Sequence, residues 1–181
     1  MFHIETKNNK TFIELKVKPA NIFFKVVLLS VASFPIIMIL GALILSDKIE
    51  SPFGFFIAFV VFGLLSLFLF RLFLWNTYGR EIYTISNTEY TSVNDYGWFK
   101  DNPKSITSIT TLEVVFIDRE RPNTLTDFTE DNLNNTNKKN EYAITFLVNG
   151  EVYPSVVKQT PQSLKEFSKV VPSLTKGVIT E

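Results

Sequence analysis

The stretches IFFKVVLLSVASFPIIMILGALILS (residues 22–46) and FGFFIAFVVFGLLSLFLFRLFLW (residues 53–75) are almost entirely apolar, and they set the architecture of this chain. Val26 to Ser46 is a run of 21 residues without a charged side chain, and Phe53 to Phe70 is a run of 18. An α-helix rises about 1.5 Å per residue, and the hydrocarbon core of a bilayer is about 30 Å thick. The two stretches therefore predict a pair of transmembrane helices.

Two other interpretations of these stretches are disfavoured. A pair of buried helices in a soluble protein needs a large covering shell, and a chain of 181 residues is too short to supply one. A cleaved signal peptide has a shorter apolar region that lies nearer the start and ends at a small-residue cleavage site. Here the first stretch begins only at residue 22, after patterned polar sequence. Because the link at 47–52 is short, we expect the two helices to form an antiparallel hairpin.

Basic residues near the spans predict the orientation of the hairpin. They are more numerous on the outer flanks of the two spans than in the link, which holds only Lys48. The flanking basic residues are Lys7, Lys10, Lys16, Lys18, Lys25, Arg71 and Arg80. The positive-inside rule then places both termini in the cytoplasm and the link outside. We expect a multi-pass protein of the cell inner (plasma) membrane.

The composition limits the chemistry that this chain can perform. Cysteine is absent, which excludes disulfides and thiolate chemistry, and His3 is the single histidine, which excludes a metal site built on several histidines of one chain. Neither span contains an acidic residue that could form a proton or ion path. A nucleophile–base pair and a phosphate-binding glycine loop are also missing. We therefore expect no cofactor, no metal site and no catalytic activity.

After Arg80 the apolar pattern changes to a period of two, which predicts β-strands. Asn149-Gly150 between two such runs is a strong signal for a two-residue hairpin turn. Turns are also expected at 86–88 and 94–97, and Asp101-Asn102-Pro103-Lys104 precedes the next predicted run. The predicted strands are 81–85, 90–93, 106–117 (as one bent strand or two short ones), 142–148 and 151–157.

The end of the domain is predicted to be helical. Thr160 is a suitable N-cap and Pro161 a suitable first residue of a helix. Its apolar stripe is expected to consist of Leu164, Phe167, Val170 and Val171, and Pro172 is expected to end it.

Two further segments complete the organisation. Residues 119–140 are rich in Asn, Thr, Asp and Glu without an apolar period, which predicts a long mobile loop. Phe2 to Val17 contains two alternating runs around Lys7-Asn8-Asn9-Lys10, which predicts a hairpin, and we expect it to pair with the later sheet. The alternative is that this segment lies on the membrane surface. The predicted parts are an N-terminal β-hairpin segment (1–21), a two-helix membrane hairpin (22–75) and a cytoplasmic β-domain (76–181).

This order of elements resembles that of the bacterial PH-like (pleckstrin-homology-like) membrane proteins. The resemblance runs from about residue 20 to residue 172 and includes Leu-Trp-Asn-Thr-Tyr-Gly-Arg-Glu at 74–81, between the membrane hairpin and the first strand. The junction residues that match are Trp75, Gly79 and Glu81. The resemblance implies a strongly bent antiparallel sheet of seven strands, capped by a C-terminal helix. The loop at 119–140 and the N-terminal hairpin depart from the pattern, and no functional residue can be carried over.

Three sets of residues are candidates for function. Trp75, Tyr78, Gly79, Arg80 and Glu81 could form a junction that transmits position between the spans and the sheet. We favour the alternative of interfacial anchoring and a glycine turn, with Arg71 reaching the headgroups. The acids Asp127, Glu130 and Asp131 could bind a divalent cation, but their spacing matches no calcium loop, which favours a solvated loop. The glycosylation signals at Asn9 and Asn134 would be unused on the cytoplasmic side.

Charge argues about the partners. Residues 76–181 contain 11 Lys and Arg against 14 Asp and Glu, a net charge of −3. Nucleic acid binding favours a basic surface, so we expect no nucleic acid partner. The expected partners are the lipid bilayer and another protein. We expect a membrane-anchored binding or scaffolding module; the alternatives are an accessory subunit of a membrane transporter or envelope enzyme complex and, less favoured, an enzyme.

Overall fold

A computed structural model describes residues 2–44, 52–137 and 140–172 of the chain. The strands are β1 (Phe2–Lys7), β2 (Lys10–Lys16), β3 (Arg80–Ile85), β4 (Glu89–Asp95), β5 (Lys100–Thr107), β6 (Leu112–Asp118), β7 (Leu125–Asp127), β8 (Tyr142–Val148) and β9 (Glu151–Pro154). The helices are α1 (Ile22–Ile44), α2 (Pro52–Tyr78), α3 (Glu130–Asn134) and α4 (Pro161–Ser168). The chain divides into two compact units, a β unit and a helix unit. The β unit is Met1–Val17, Arg80–Asp95 and Phe99–Glu181, and the helix unit is Lys18–Gly79 and Tyr96–Trp98.

The β unit contains two antiparallel sheets. The first has the strand order β1-β2-β3-β4-β5 and the second the order β7-β6-β8-β9. Strand β2 pairs with β3 along its length, from Thr11 opposite Ile85 to Lys16 opposite Arg80. The predicted pairing of the N-terminal hairpin with the later sheet is therefore confirmed. The two helices are an insertion between adjacent strands of one sheet.

Alternation along the strands builds the core of the β unit. Tyr83 and Tyr90 from the first sheet pack against Phe146 of the second, with ring centroids 4.7 and 5.7 Å from that of Phe146. Helix α4 adds Leu164 and Phe167, which are both fully buried. The other core residues include Ile13, Leu15, Ile85, Leu112, Val114, Phe116, Ile144 and Val148.

Local chemistry fixes the turns and the C-terminal helix as predicted. Asn149 and Gly150 have φ angles of +52° and +83°, the left-handed backbone that a two-residue hairpin turn needs. The Thr160 hydroxyl accepts a hydrogen bond of 3.2 Å from the backbone N–H of Ser163, so it caps α4. The helix ends at Ser168, so the prediction that it continues to Pro172 was wrong.

Strand β5 already begins at Lys100 and includes residues 101–104, which were expected to precede a strand that starts at Ile106. The register shifts between Ser92 and Asn94 of β4, and β5 carries one extra residue there, with Asn102 at a φ of +49°. A β-bulge accommodates the extra residue, so the strand continues through this segment. Pro103 is tolerated because β5 ends the strand order of its sheet, where a missing N–H is harmless.

The segment 119–140 is more regular than predicted. Strand β7 pairs with β6, and helix α3 follows it with Leu133 only 6% exposed. The ring of Phe128 lies 5.2 Å from that of Phe116 and 5.8 Å from that of Phe167. Two apolar side chains, Phe128 and Leu133, are enough to fix this polar segment to the core, although they form no period. The expectation of an irregular loop was therefore wrong for 125–134; the mobility of the segment stays a prediction.

In the helix unit, α1 and α2 are antiparallel. The start of α1 lies beside the end of α2, where the backbone N–H of Ala20 donates to the carbonyl of Asn76 at 3.2 Å. The segments Ile22–Gly41 and Phe56–Tyr78 are long and apolar enough to cross a membrane. Asn21 starts α1, since its side-chain oxygen accepts from the N–H of Phe24 at 2.8 Å. The predicted link lies outside the described residues, apart from Pro52, which begins α2.

Candidate functional site

Glu81 is the most unusual residue of the β unit, because its carboxylate is buried inside it. Period-two alternation puts Glu81 on the same face of β3 as Tyr83 and Ile85, and its side chain is only 4% exposed. The carboxylate accepts hydrogen bonds from the backbone N–H groups of Val156 and Val157 at 2.8 and 2.9 Å. Burial raises the pKa of Glu81 above its usual range, although these two hydrogen bonds oppose the shift.

The segment that follows β9 is held from two directions. Glu81 binds its N–H groups, and the Arg119 guanidinium donates to the carbonyl oxygens of Ser155 and Val156 at 3.2 and 2.6 Å. Ser155 itself is buried and donates through its hydroxyl to the carbonyl of Val157 at 3.1 Å. The two charged residues therefore fix a segment without regular structure as firmly as a strand would.

A polar cavity of about 50 Å³ lies beside Glu81. It is lined by Glu81, Tyr83, Tyr90, Ser92, Val93, Asn94, Asn102, Lys104, Tyr153, Pro154 and Val156. A water molecule needs roughly 10–15 Å³ of such volume, and typical small-molecule pockets measure about 300–1,000 Å³. The cavity therefore fits a few water molecules or one small polar group of a larger partner, and not a whole cofactor.

Tyr90 forms the base of the cavity. It is fully buried, and in the described part of the chain its hydroxyl has no hydrogen-bond partner. Burial raises the pKa of Tyr90 above its usual range. The nearby Ser92 hydroxyl lowers this pKa by a smaller amount, without reaching hydrogen-bonding geometry. A buried hydroxyl without a partner costs free energy, so the cavity favours an occupant that can hydrogen bond to it.

The rim of the cavity is formed by side chains from β5 and β9. The ammonium group of Lys104 lies 5.1 Å from the ring centroid of Tyr153, which is cation–π range. The Tyr153 hydroxyl donates to the carboxylate of Glu151, and its ring lies 5.5 Å from that of Tyr90. Since β5 and β9 each end the strand order of their sheet, the cavity opens at a seam between two sheet edges.

The chemistry of this seam favours binding. The Glu81 carboxylate already accepts hydrogen bonds from two backbone N–H groups. Among the side chains that line the cavity, the Lys104 ammonium group, the Asn102 amide and the Tyr90 hydroxyl can donate to an incoming molecule. The arrangement suits a carboxylate or amide oxygen.

The residues of the predicted junction belong to different units: Arg80 and Glu81 to the β unit, and Trp75, Tyr78 and Gly79 to the helix unit. In the β unit, Arg80 binds Glu14 at 2.8 Å and the buried Asp95 at 2.9 Å, an ion-pair network across β2, β3 and β4. The hydrogen bonds that Arg80 donates to Glu14 and Asp95 raise the pKa of its guanidinium. Glu81 takes part in the clamp described above. The expectation that these residues serve only as a turn and an anchor was therefore too simple.

In the helix unit, α2 ends at Tyr78, directly before Gly79, where a glycine turn was expected. The Gly79 N–H donates to the carbonyl of Trp75 at 2.9 Å, and a Cβ at Gly79 would collide with that same carbonyl and with the Trp75 ring. Arg71, expected to reach the headgroups, donates through Nε to the hydroxyl of Tyr96 at 3.1 Å. Trp75 and Tyr78 contact the Tyr96–Trp98 segment as well.

The predicted cation ligands do not converge. Asp127 lies in β7, whereas Glu130 and Asp131 lie in the first turn of α3, and all three are exposed. Within residues 2–44, 52–137 and 140–172, no three His, Cys, Asp or Glu side chains are grouped to hold a metal ion. Asn9 lies in the β1–β2 turn at a φ of +58°, and Asn134 ends α3.

Sequence reasoning missed Tyr90, Lys104 and Tyr153. Only the alternation of β3 pointed to this site, because it places Glu81 on the same face of the strand as the buried Tyr83 and Ile85. Lys104 was placed before the strand that was expected to start at Ile106, and not within a strand.

The chain matches no protein-family model, no curated protein and no solved structure.

Proposed function

We propose that this protein is a membrane-anchored, non-catalytic binding module with a PH-like β-domain. Its helical hairpin crosses the inner (plasma) membrane, and both termini are cytoplasmic. Several lysines precede α1, and Arg71 and Arg80 lie near the C-terminal end of α2, whereas the link contains only Lys48. This excess of basic residues on one side supports the orientation.

The strand order supports the PH-like assignment. When β1 and β7 are set aside, β2-β3-β4-β5 forms a four-strand meander, β6-β8-β9 forms a three-strand meander, and α4 follows. The number of strands and the closing helix are those that the resemblance implies, although the strands lie in two sheets and the first of them, β2, belongs to the N-terminal hairpin that was expected to depart from the pattern. The helical hairpin then stands between the first and second strands of the seven.

The seam between β5 and β9 is the proposed binding surface, and the observation that carries it is the buried Tyr90 hydroxyl without a partner in the described residues. Around it stand Lys104, Asn102 and the exposed Val156. We assign the seam to an extended protein segment that inserts a carboxylate or amide side chain into the cavity. Apolar contacts at Val156 would add affinity.

A photo-crosslinking residue at position 104, in the full-length protein in its native membrane, tests this proposal. We expect an adduct of discrete mass. The matched control is the same residue at Lys158, which is exposed and pairs with Glu141 away from the cavity lining. Absence of an adduct at 104, or equal labelling at both positions, would contradict the proposed surface.

One observation favours the second candidate, an accessory subunit whose spans are the working interface. A groove of about 710 Å³ lies between α1 and α2, lined almost entirely by apolar side chains. Ser66 lines it, is 3% exposed, and has no hydrogen-bond partner among the described residues. A transmembrane helix of another protein could fill the groove and form a hydrogen bond with the Ser66 hydroxyl. Crosslinks from position 64 to another membrane protein, with none from position 104, would favour this candidate.

A further inference from the structure

The segment Tyr96–Trp98 joins β4 to β5, yet its contacts place it in the helix unit. The Tyr96 ring lies 5.0 Å from that of Trp75. The guanidinium of Arg71 lies 5.2 Å from the Tyr96 ring centroid, and its Nε donates to the Tyr96 hydroxyl. Because Tyr96 is only 5% exposed, these contacts fix the base of the segment against α2.

Gly97 permits this close approach. Its φ of +85° is a conformation that glycine adopts easily, and a Cβ there would lie 3.0 Å from the Cβ of Tyr78. The backbone therefore passes directly over the last turn of α2.

The tip of the segment reaches further along the helix. The Trp98 ring lies 5.8 Å from the ring of Phe70, in an edge-to-face arrangement. Phe70 precedes Tyr78 by eight residues, which at 1.5 Å per residue is about 12 Å along the helix axis. The tip thus lies level with the end of the uncharged run of α2, next to Arg71.

Trp98 nevertheless has an exposed fraction of 73%. A large aromatic side chain with one polar atom is costly in water, whereas the headgroup region of a bilayer accommodates both its ring and its N–H. Arg71 beside it is also typical of that depth, because its charge can stay among the headgroups while its stem is in the apolar layer.

We infer that Tyr96–Trp98 is a third membrane contact, with the Trp98 side chain inserted among the lipid headgroups and upper acyl chains. The occupant of this surface is the bilayer itself. The contact is aromatic and apolar, so it does not depend on anionic lipid. This inference rests on the proposal that α1 and α2 span the membrane.

Tryptophan quenching in vesicles tests the inference with the full-length protein. The chain has two tryptophans, so Trp75→Phe leaves Trp98 as the only one. In phosphatidylcholine vesicles brominated near the headgroup, we expect Trp98 emission to fall to about half, and in vesicles brominated near the chain ends to change little, as for an interfacial ring.

Two control tryptophans make the outcomes distinguishable. Both controls are made in a chain that lacks the two natural tryptophans. The emission of Phe62→Trp, in the middle of α2, should be quenched by lipid brominated near the chain ends. The emission of Val152→Trp, on β9, should be quenched by neither lipid. If position 62 is quenched and Trp98 is not, the spans cross the membrane but the tip faces water or protein, which overturns the inference. If position 62 is not quenched, the spanning proposal fails and the inference fails with it.

Trp75 packs on Tyr96, so its replacement could loosen the segment. A second variant therefore keeps both tryptophans: Phe99→Cys is the single cysteine of its chain and carries an environment-sensitive fluorophore. A blue-shifted emission that iodide does not quench supports membrane insertion. A water-like emission, together with an unquenched Trp98, contradicts it.

Discussion

The carboxylate of Glu81 accepts a hydrogen bond of 2.9 Å from the backbone N–H of Val157, which lies 76 residues further along the chain. The bond joins the first residues of β3 to the segment after β9, and so connects the two sheets through a buried ionisable group. Tyr83 and Tyr90 contact Phe146 of the other sheet through their rings, whereas this hydrogen bond involves an ionisable group. Its loss should therefore be measurable in ways that the loss of an apolar contact would not be.

Replacing Glu81 by Ala should destabilise the β unit by about 1–3 kcal/mol, because the buried N–H of Val157 is left without an acceptor. The free energy of denaturant unfolding in mild detergent measures the effect. Glu113→Ala is the matched control, since Glu113 is exposed on β6. Equal effects of the two substitutions would contradict the proposed clamp.

Glu81 should also give the stability of the β unit a defined pH dependence. Its pKa in the folded state is raised, so the folded state holds this proton more tightly than the unfolded state does. The contribution is fully present below the unfolded pKa of about 4.3 and is lost as the pH rises through the higher folded pKa. Unfolding of the wild type and of Glu81→Gln across that range should show this decline in the wild type only. An identical slope in both would assign the pH dependence to other groups.

Tyr90→Phe should leave stability within about 0.5 kcal/mol of the wild type or increase it, because it removes a buried hydroxyl without a partner in the described residues. It should also weaken the crosslink formed from position 104. Tyr153→Phe is the comparison, since the Tyr153 hydroxyl donates to Glu151. A marked loss of stability in Tyr90→Phe would mean that the cavity already satisfies this hydroxyl.

Gly79→Ala should destabilise the end of α2 by about 1–3 kcal/mol, the usual cost of overpacking, because its Cβ meets the Trp75 carbonyl and ring. Gly63→Ala, also in α2, has open space around the new Cβ and should be neutral or slightly favourable. Thermal melts of the two variants in detergent compare them. Equal melting temperatures would show that the helix end can shift at no cost.

Limited digestion with a glutamate-specific protease in detergent tests the mobility of 119–140. Glu120 lies in an exposed turn before β7, whereas Glu113 lies within β6. We expect cleavage after Glu120 before cleavage after Glu113, and Glu120→Gln should delay the first cut. First cuts between 80 and 117 would mean that the β unit is less stable than its packing implies.

The features that sequence chemistry determined are those in which the cause is local. A charge-free run long enough for a bilayer makes α1 and α2 recognisable without any partner, and Asn149-Gly150 produces its turn from its own backbone preferences. Thr160 and Pro161 start α4 for the same reason. The pairing of β2 with β3 was also predictable, because a short hairpin insertion must return its ends to the same place.

Tertiary structure alone decided the features in which the cause is distant in sequence. Whether Glu81 is a solvated acid or a buried clamp depends on Val156 and Val157, and no property of β3 identifies them. Phe128 becomes an anchor only because the core offers it the rings of Phe116 and Phe167 to pack against. Residues 101–104 have the composition of a turn, but pairing with β4 supplies more hydrogen bonds than an isolated turn could, so they form a strand with a bulge. Free energy from long-range contacts outweighs local preference wherever that preference is weak.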